Sequence, residues 1–289
     1  MSAPQDDRVW LITGSSTGIG RAVADELVAR GVRLIATARD PRTLDALVEA
    51  GGENVVAARL DVGDPASIDA ALAAGLERFG RVDVLLSCAG TGLVGSIEES
   101  SDDEIDHVFR TNFFGTLRVI RTVLPHLRQQ GSGLIATMTS RGAFEGQPGT
   151  GIYCASKFAL NGVCESLAIE VKPLGINVSI LEPGLVKSNF RAAGITRAAR
   201  RMPEYEQTCG TLRAAVEQDF PPTAYEAPDV AVALLAALSG PNPPLHLPLG
   251  GRAVDLIRAK LTSVLDGITE WEDYSRLNVP DGAAGVSVG

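Results

Sequence analysis

The sequence predicts one α/β domain built on a doubly wound parallel sheet of about seven strands, with helices on both faces. Three observations carry this. Short, continuously apolar β-type runs alternate with helical stretches along most of the chain. A glycine-rich turn closes the first such run and opens the first helix. A length of 289 residues suits one large domain better than two small ones.

The elements follow in order. Strands are expected at 9–13, 33–38, 55–60, 82–87, 133–139, 176–181 and 245–248. Helices are expected at 18–30, 42–50, 65–79, 102–130, 151–172, 228–238 and 252–265. Apolar strands bounded by helices belong to a sheet covered on both sides, the Rossmann-type arrangement. Two regions break the alternation. Residues 188–227 are rich in Arg, Ala and Thr and follow a strand end, where such sheets bind ligands. They are the expected substrate lid. Residues 268–289 form a C-terminal tail with Trp271 and Tyr274, then a Gly/Ala/Val ending expected to fray. There is no internal repeat, so one domain spans 1–289.

Composition excludes several function classes. Hydrophobic residues make up 45% and charged residues 21%, enough for a sizeable core and a solvated surface. The net charge of −9 argues against nucleic acid as a partner, because backbone binding needs a basic face. Arg191, Arg197, Arg200 and Arg201 gather locally and read as a solvated helix face. Cys88, Cys154, Cys164 and Cys209 lack Cys-x-x-Cys spacing and read as reduced thiols. His107, His126 and His246 are scattered, so no metal is expected. The polar, acidic start lacks the layout of a secretory signal, and no apolar run approaches the roughly 20 residues of a spanning helix. A cytoplasmic protein without a membrane partner is the expectation.

The turn is Thr13-Gly14-Ser15-Ser16-Thr17-Gly18-Ile19-Gly20. Gly14, Gly18 and Gly20 let the backbone turn tightly and approach a pyrophosphate. The helix N-terminus then offers free N–H groups and a positive dipole to phosphates. At this junction it predicts a dinucleotide site, cradled by Ser16, Thr17 and Ile19 as well. The second strand ends Ala38-Arg39-Asp40-Pro41. An acid at the tip would bind ribose hydroxyls, whereas an arginine would pair with a 2′-phosphate. Arg39 takes that place and Asp40 suits a cap for the next helix, so NADP(H) is favoured over NAD(H). Asp61-Val62 closes the third strand and Ala89-Gly90 the fourth, where small residues let the adenine-ribose segment lie across the sheet edge.

Tyr153 and Lys157 are four apart on one helix and share a face. A free phenol titrates near pH 10, and a neighbouring ammonium is expected to lower it, making Tyr153 an acid or base. Ser140, at the end of the fifth strand, can hydrogen-bond a developing oxyanion. Thr137 and Thr139 are competing hydroxyls, but strand alternation points them away from Ser140. Asn112 is a polar residue inside a long apolar helix. It is either a helix-bend amide satisfied internally or a water relay behind Lys157.

These residues resemble the motifs of the short-chain dehydrogenase/reductase family. Thr13-Gly14-x-x-x-Gly18-Ile19-Gly20, Asn112, Ser140, Tyr153, Lys157 and Pro183-Gly184 match in order, over about residues 8 to 250. The resemblance implies that Asn112, Ser140, Tyr153 and Lys157 form a catalytic tetrad and that Lys157 also touches the nicotinamide ribose. It implies that Pro183, Gly184, Val186 and Ser188 line the nicotinamide. It further implies pairing of the two longest helices into homodimers or homotetramers. The Leu181-Glu182-Pro183-Gly184 version is similar to members acting on steroids, retinoids and related carbonyls or alcohols. Two departures stand out. Ser87-Cys88-Ala89-Gly90 replaces Asn-Asn-Ala-Gly, which puts stiffening of the shelf in question, and Ser188 replaces a threonine.

Leu93, Val94, Ala143, Phe144, Gln147 and Leu185 are candidate pocket residues. Their apolar character suits a hydrophobic ketone or alcohol. The rival readings are a catalytically silent NADP(H)-sensing protein of the same fold, and a sugar-nucleotide epimerase or dehydratase. Intact Ser140, Tyr153 and Lys157 argue against the sensor. The short C-terminal part and the Gly14–Gly18 spacing argue against the epimerase.

Overall fold

The computed structural model describes residues 7–277. Seven parallel strands form one sheet. In chain order they are β1 (Val9–Thr13), β2 (Arg33–Ala38), β3 (Val55–Arg59), β4 (Val84–Ser87), β5 (Gly133–Met138), β6 (Ile176–Pro183) and β7 (His246–Leu249). Their spatial order is β3-β2-β1-β4-β5-β6-β7, so the direction of winding reverses between β1 and β4. Ligands bind at such a switch point, outside the carboxyl ends of the strands.

Period-two side-chain alternation sorts the core into two layers. Trp10 and Ile12 of β1 pack with Val23 and Leu27 of helix α1 (Gly18–Ala29). Helix α2 (Asp45–Gly51) adds Leu47 to this layer. On the other face, Leu11 and Leu85 meet Ile68 of helix α3 (Pro65–Phe79). Asp64 caps α3 and Pro65 starts it, a stop-and-start signal legible in the sequence.

The expected helix over 102–130 is two helices, α4 (Asp102–Phe109) and α5 (Thr116–Gln130), joined by a π-type segment Arg110–Gly115. Wide turns of this kind recur at functional sites. Here the cause is visible. Asn112 turns its amide onto Thr91, and Gly115 backs onto Val62, where a Cβ would stand 2.6 Å from Cγ2. Helix α6 (Gly151–Val171) follows β5, and Val119 of α5 and Cys164 of α6 complete the second layer.

The expected lid is a folded segment. It holds a wide turn (Phe190–Gly194), a short strand (Ile195–Arg197) and helix α7 (Glu206–Glu217). Ile195–Arg197 pairs in parallel with Gly92–Val94, outside the main sheet. The arginines expected on a helix face lie instead before α7, on this turn, strand and following loop, because the helix starts only at Glu206. Arg191 bonds the Ala215 and Gln218 carbonyls, while Arg197 and Arg201 pair with Glu217 and Glu206. Helix α8 (Ala227–Leu238) closes the first layer through Val230 and Leu234. Helix α9 (Gly251–Glu270) runs five residues beyond its expected end. Of the tail, 268–277 continues helically through Glu272–Ser275, and 278–289 lies outside the described residues.

Candidate active site

The strand ends carry a row of hydroxyls. Thr37, Thr13, Ser87 and Thr137 stand in register across β2, β1, β4 and β5, all buried. The Thr13 hydroxyl accepts hydrogen bonds from the amides of Cys88 (3.1 Å) and Ala89 (3.2 Å). The shelf that lacks the usual asparagines is therefore stiffened from beneath by a threonine. The Gly90 end is fixed too, since the next amide, Thr91, donates to Asn112 Oδ1 at 2.8 Å.

The glycine turn fits a phosphate. Thr17 precedes α1 in extended geometry, and no side chain caps the helix. No acid stands in the first turn, so its free N–H groups and dipole face outward uncompensated. A Cβ at Gly20 would lie 2.5 Å from the Gly14 carbonyl oxygen, and Gly18 has φ +62° with a Cβ position 3.3 Å from the Cβ of Ser188. The turn thus touches Ser188, in the segment after β6, and only glycine permits that approach. Ser16 and Ile19 are half-buried and Thr17 is exposed at the mouth of this cradle.

At the tip of β2, Arg39 is exposed and makes no hydrogen bond or ion pair with any described residue. Asp40 is occupied. Its carboxylate accepts from the Arg42 amide (3.1 Å) and pairs with the Arg42 guanidinium (2.7 Å), capping the turn Pro41–Leu44 as expected. Asp61 accepts from the Gly63 amide at 2.8 Å, and Val62 is buried against Gly115. Pro183 ends β6, and the Gly184 amide donates to Leu249 at 3.0 Å. Val186 lies buried in the two-residue strand Val186–Lys187, paired with Tyr225–Glu226.

The four expected catalytic residues converge beyond β4 and β5. Ser140 is extended and caps a short turn, its Oγ accepting from the Gly142 amide at 3.0 Å. The Cβ position of Gly142 lies 3.4 Å from Ser140 Oγ and 3.9 Å from Tyr153 Cε1, so both rim one small space. Thr139 is turned away to the Leu181 carbonyl (3.2 Å), and Thr137 is buried under the sheet edge. Lys157 is buried, and its Nζ donates to the Met138 carbonyl at 3.0 Å. Nζ stands 5.8 Å from the centroid of the Tyr153 ring. Asn112 donates to the Thr91 carbonyl (2.9 Å) and to Ser156 Oγ (3.0 Å). Its side chain is thus satisfied within the protein. The Cβ position of Gly90 lies 3.3 Å from Asn112 Oδ1 and 3.7 Å from Lys157 Nζ, which ties shelf, amide and lysine together.

The electrostatics correct one expectation. Burial pushes the Tyr153 phenol up to about 12, and the Ser140 hydroxyl only opposes it. Burial also brings the Lys157 ammonium down to about 8. Lys157 sits toward the ring face, bonded to a carbonyl, and does not lower the phenol here. In the protein alone, burial therefore favours the protonated phenol.

Three neighbours escaped the sequence reading. Phe190 of the lid lies 6.3 Å from the Tyr153 ring. Ser156, which holds Asn112, donates to the Tyr153 carbonyl at 2.7 Å. His246 Nδ1 meets the buried carboxylate of Glu182 at 2.6 Å and packs edge-on to Phe144. Ser156 alone left a signal, a small polar residue on the buried face shared by Tyr153 and Lys157. Among the described residues, no group of three or more His, Cys, Asp or Glu side chains could hold a metal.

Residues 8–197 match the family model for short chain dehydrogenase. The chain belongs to the short-chain dehydrogenase family. It is 36% identical to the oxidoreductase calM of Penicillium decumbens, over 94% of this chain and 93% of that one. It is 34% identical to human 17-beta-hydroxysteroid dehydrogenase type 1, over 88% of this chain and 80% of that protein. Among solved structures, a short-chain dehydrogenase from Streptomyces avermitilis superposes with a TM-score of 0.86 at 39% identity, covering 94% of this chain and all of that one. Two others were solved with cofactors. A Burkholderia phymatum member holds NAD (TM-score 0.73, 25% identity, 99% of this chain and 100% of that one). An alcohol dehydrogenase from Thermococcus sibiricus holds 5-hydroxy-NADP (0.68, 27%, 85% and 96%). The chain is accordingly an oxidoreductase of this family with a site for a nicotinamide cofactor.

Proposed function

We propose that this short-chain dehydrogenase moves a hydride between NADP(H) and a carbonyl or secondary alcohol on a mostly apolar small molecule, as a ketoreductase or alcohol dehydrogenase. The observation that carries the reading is the convergence of Ser140, Tyr153 and Lys157 beside a shelf built on the glycine turn. Names among its relatives, a hydroxysteroid dehydrogenase included, support the substrate class. NADP(H) is favoured because Arg39 is free while Asp40 is spent on Arg42.

The glycine turn and the α1 N-terminus hold the pyrophosphate, Arg39 the 2′-phosphate, and Asp61, Val62, Ala89 and Gly90 the adenosine half. Lys157 and the stretch Pro183, Gly184, Val186 and Ser188 hold the nicotinamide half. When bound, the nicotinamide gives or receives the hydride. Ser140 donates a hydrogen bond to the substrate oxygen, and Tyr153 Oη gives that oxygen a proton in reduction and takes it back in oxidation. Asn112 holds the Thr91 end of the shelf, beside Lys157. Buried Leu93, Val94 and Ala143, with Phe144, Leu185 and Phe190, exclude water over an apolar substrate.

The protein is read as cytoplasmic and homo-oligomeric. No helix among the described residues is long and apolar enough to cross a membrane. Phe114, Phe158 and Ile169 are exposed on the π-type segment and α6, an apolar excess suited to a partner subunit. The test is a fluorescence titration with NADPH and NADH, followed by a panel of apolar ketones monitored for NADPH absorbance. Tight NADPH binding with turnover on the panel is the expected result. Binding without turnover on any ketone or alcohol would favour the silent sensor.

A further inference from the structure

Only the first turns of α9 pack on the body. Ala253 is buried and Ile257 is 6% exposed. From Arg258 to Leu277 every residue is exposed, except the half-buried Gly267. The apolar pattern does not stop where the packing stops. Val254, Ile257, Leu261, Val264, Ile268 and Trp271 recur at alternating spacings of three and four. That 3.5-residue repeat is the seam of a coiled coil. Its last four members are open, at 49%, 44%, 55% and 55%, and Leu265 flanks them at 64%. An exposed stripe of this length marks an interaction surface.

The charges along α9 and the short helix Glu272–Ser275 that continues it say what covers the stripe. Residues 251–263 carry Arg252, Arg258 and Lys260 against Asp255 alone. Residues 264–276 carry Asp266, Glu270, Glu272 and Asp273 against Arg276 alone. This helical stretch is basic at its start and acidic at its end. We propose that this stripe docks a second copy of the chain, with the two α9 helices antiparallel. That orientation alone sets each basic start against the other's acidic end and lets the helix dipoles oppose. Parallel pairing would set acid on acid. A lipid surface fits less well, because interfacial helices carry a basic polar face and this one ends acidic.

Heptad spacing allows registers seven residues apart, and the one centred on the four open members puts all of them in the seam. Val264 layers on the partner's Ile268, Leu261 on the partner's Trp271, and Leu265 meets the partner's Leu265. Arg258 then stands opposite the partner's Glu272, twice by symmetry. Glu272 already pairs with Arg276 of its own chain at 2.6 Å, and a carboxylate can accept from both guanidiniums. This surface is separate from the one around Phe114 and Phe158, and it does not rest on the proposed activity.

The test uses the full chain in light scattering and sedimentation equilibrium at micromolar concentration. Leu261→Lys with Ile268→Lys alters only exposed positions and is expected to halve the mass, with unchanged circular dichroism. Arg258→Glu and Glu272→Arg, each alone, are expected to weaken association by about five-fold. An equimolar mixture of these two variants should regain wild-type association, because both cross pairs become opposite in charge. Wild-type mass in the double lysine variant would overturn the proposal. So would a mixture no better than its components, or a monomeric wild type that sediments with neutral phosphatidylcholine vesicles.

Discussion

At the proposed catalytic shelf, the candidate side chains are held by main chain. Lys157 is bonded to the Met138 carbonyl, Asn112 to both polar groups of Thr91, and Ser140 to the Gly142 amide. The lid is held by carboxylates. Glu99 accepts from the Ser96 and Met202 amides, both at 2.7 Å, and pairs with Arg213. Glu104 accepts from the Ala199 amide at 2.8 Å, and Glu98 takes the Tyr205 hydroxyl. Under the proposed function, the difference is a division of labour. Geometry set by a sheet is insensitive to small changes of side chain, so it suits chemistry. Geometry set by a few ion pairs can be retuned one residue at a time, so it suits substrate selection.

The largest effect should come from the shelf. Tyr153→Phe keeps the ring beside Phe190 and removes only the proton. Turnover on an accepted ketone should fall by roughly 10²–10⁴-fold while NADPH affinity stays near normal. Near-normal turnover would mean that the proton comes from another group. Lys157→Ala should harm turnover and NADPH affinity together.

The lid should respond next, and differently. Burial alone would raise the Glu99 carboxyl, but the Met202 and Ser96 amides and the Arg213 guanidinium outweigh it and hold it at about 2. Arg213→Ala leaves that buried charge short of its partner, a loss of about 3 kcal/mol. We expect faster proteolysis within 198–217 and a raised KM, with kcat far less affected than in Tyr153→Phe. A kcat loss matching that variant's would erase the proposed division. The sign of the pH effect follows from the lowered carboxyl. Its stabilisation is complete above the ordinary carboxylate range near 4.5 and is lost as pH falls toward 2. Protease sensitivity of the lid should therefore rise only below about pH 4.5.

The same contrast explains what could be read from the sequence. The strand–helix alternation, the glycine turn and the Ser140, Tyr153 and Lys157 set were all legible, because each depends on local spacing around a sheet end. The break at Arg110–Gly115 was not, since it arises where Asn112 reaches Thr91 across 21 residues of chain. The clasp of Glu99 on Arg213 spans 114 residues, and no periodicity announces it. The fall of the Tyr153 proton affinity expected from Lys157 did not appear, because helical spacing puts two residues on one face without saying which atoms meet.

A smaller effect should appear at the cofactor rim. Arg39 is exposed, so its pairing with a 2′-phosphate is worth about 1.5 kcal/mol, the low end for a charged hydrogen bond. Arg39→Ala should cut the ratio of NADPH to NADH affinity by about ten-fold and leave NADH affinity unchanged. An unchanged ratio in competitive titrations would hand the selection to another residue.

Ser156→Ala should give the smallest change, and it probes the shelf from behind. Ser156 Oγ accepts from Asn112 at 3.0 Å and donates to the Tyr153 carbonyl at 2.7 Å, so it links two of the four proposed catalytic positions without touching the proposed reaction space. The variant leaves one buried N–H of Asn112 unpaired. Both Thr91 bonds remain, so the cost should sit at the low end for an unsatisfied donor, about 1 kcal/mol. That corresponds to a fall of about 2–4 °C in Tm for a chain of this size and to at most a few-fold in turnover. If main-chain bonds hold the shelf, Ser156→Thr, which keeps the hydroxyl, should restore Tm and turnover together. A hundred-fold loss of turnover in Ser156→Ala at wild-type Tm would mean that a side chain, and not the main chain, sets the catalytic geometry, and the contrast with the lid would fail.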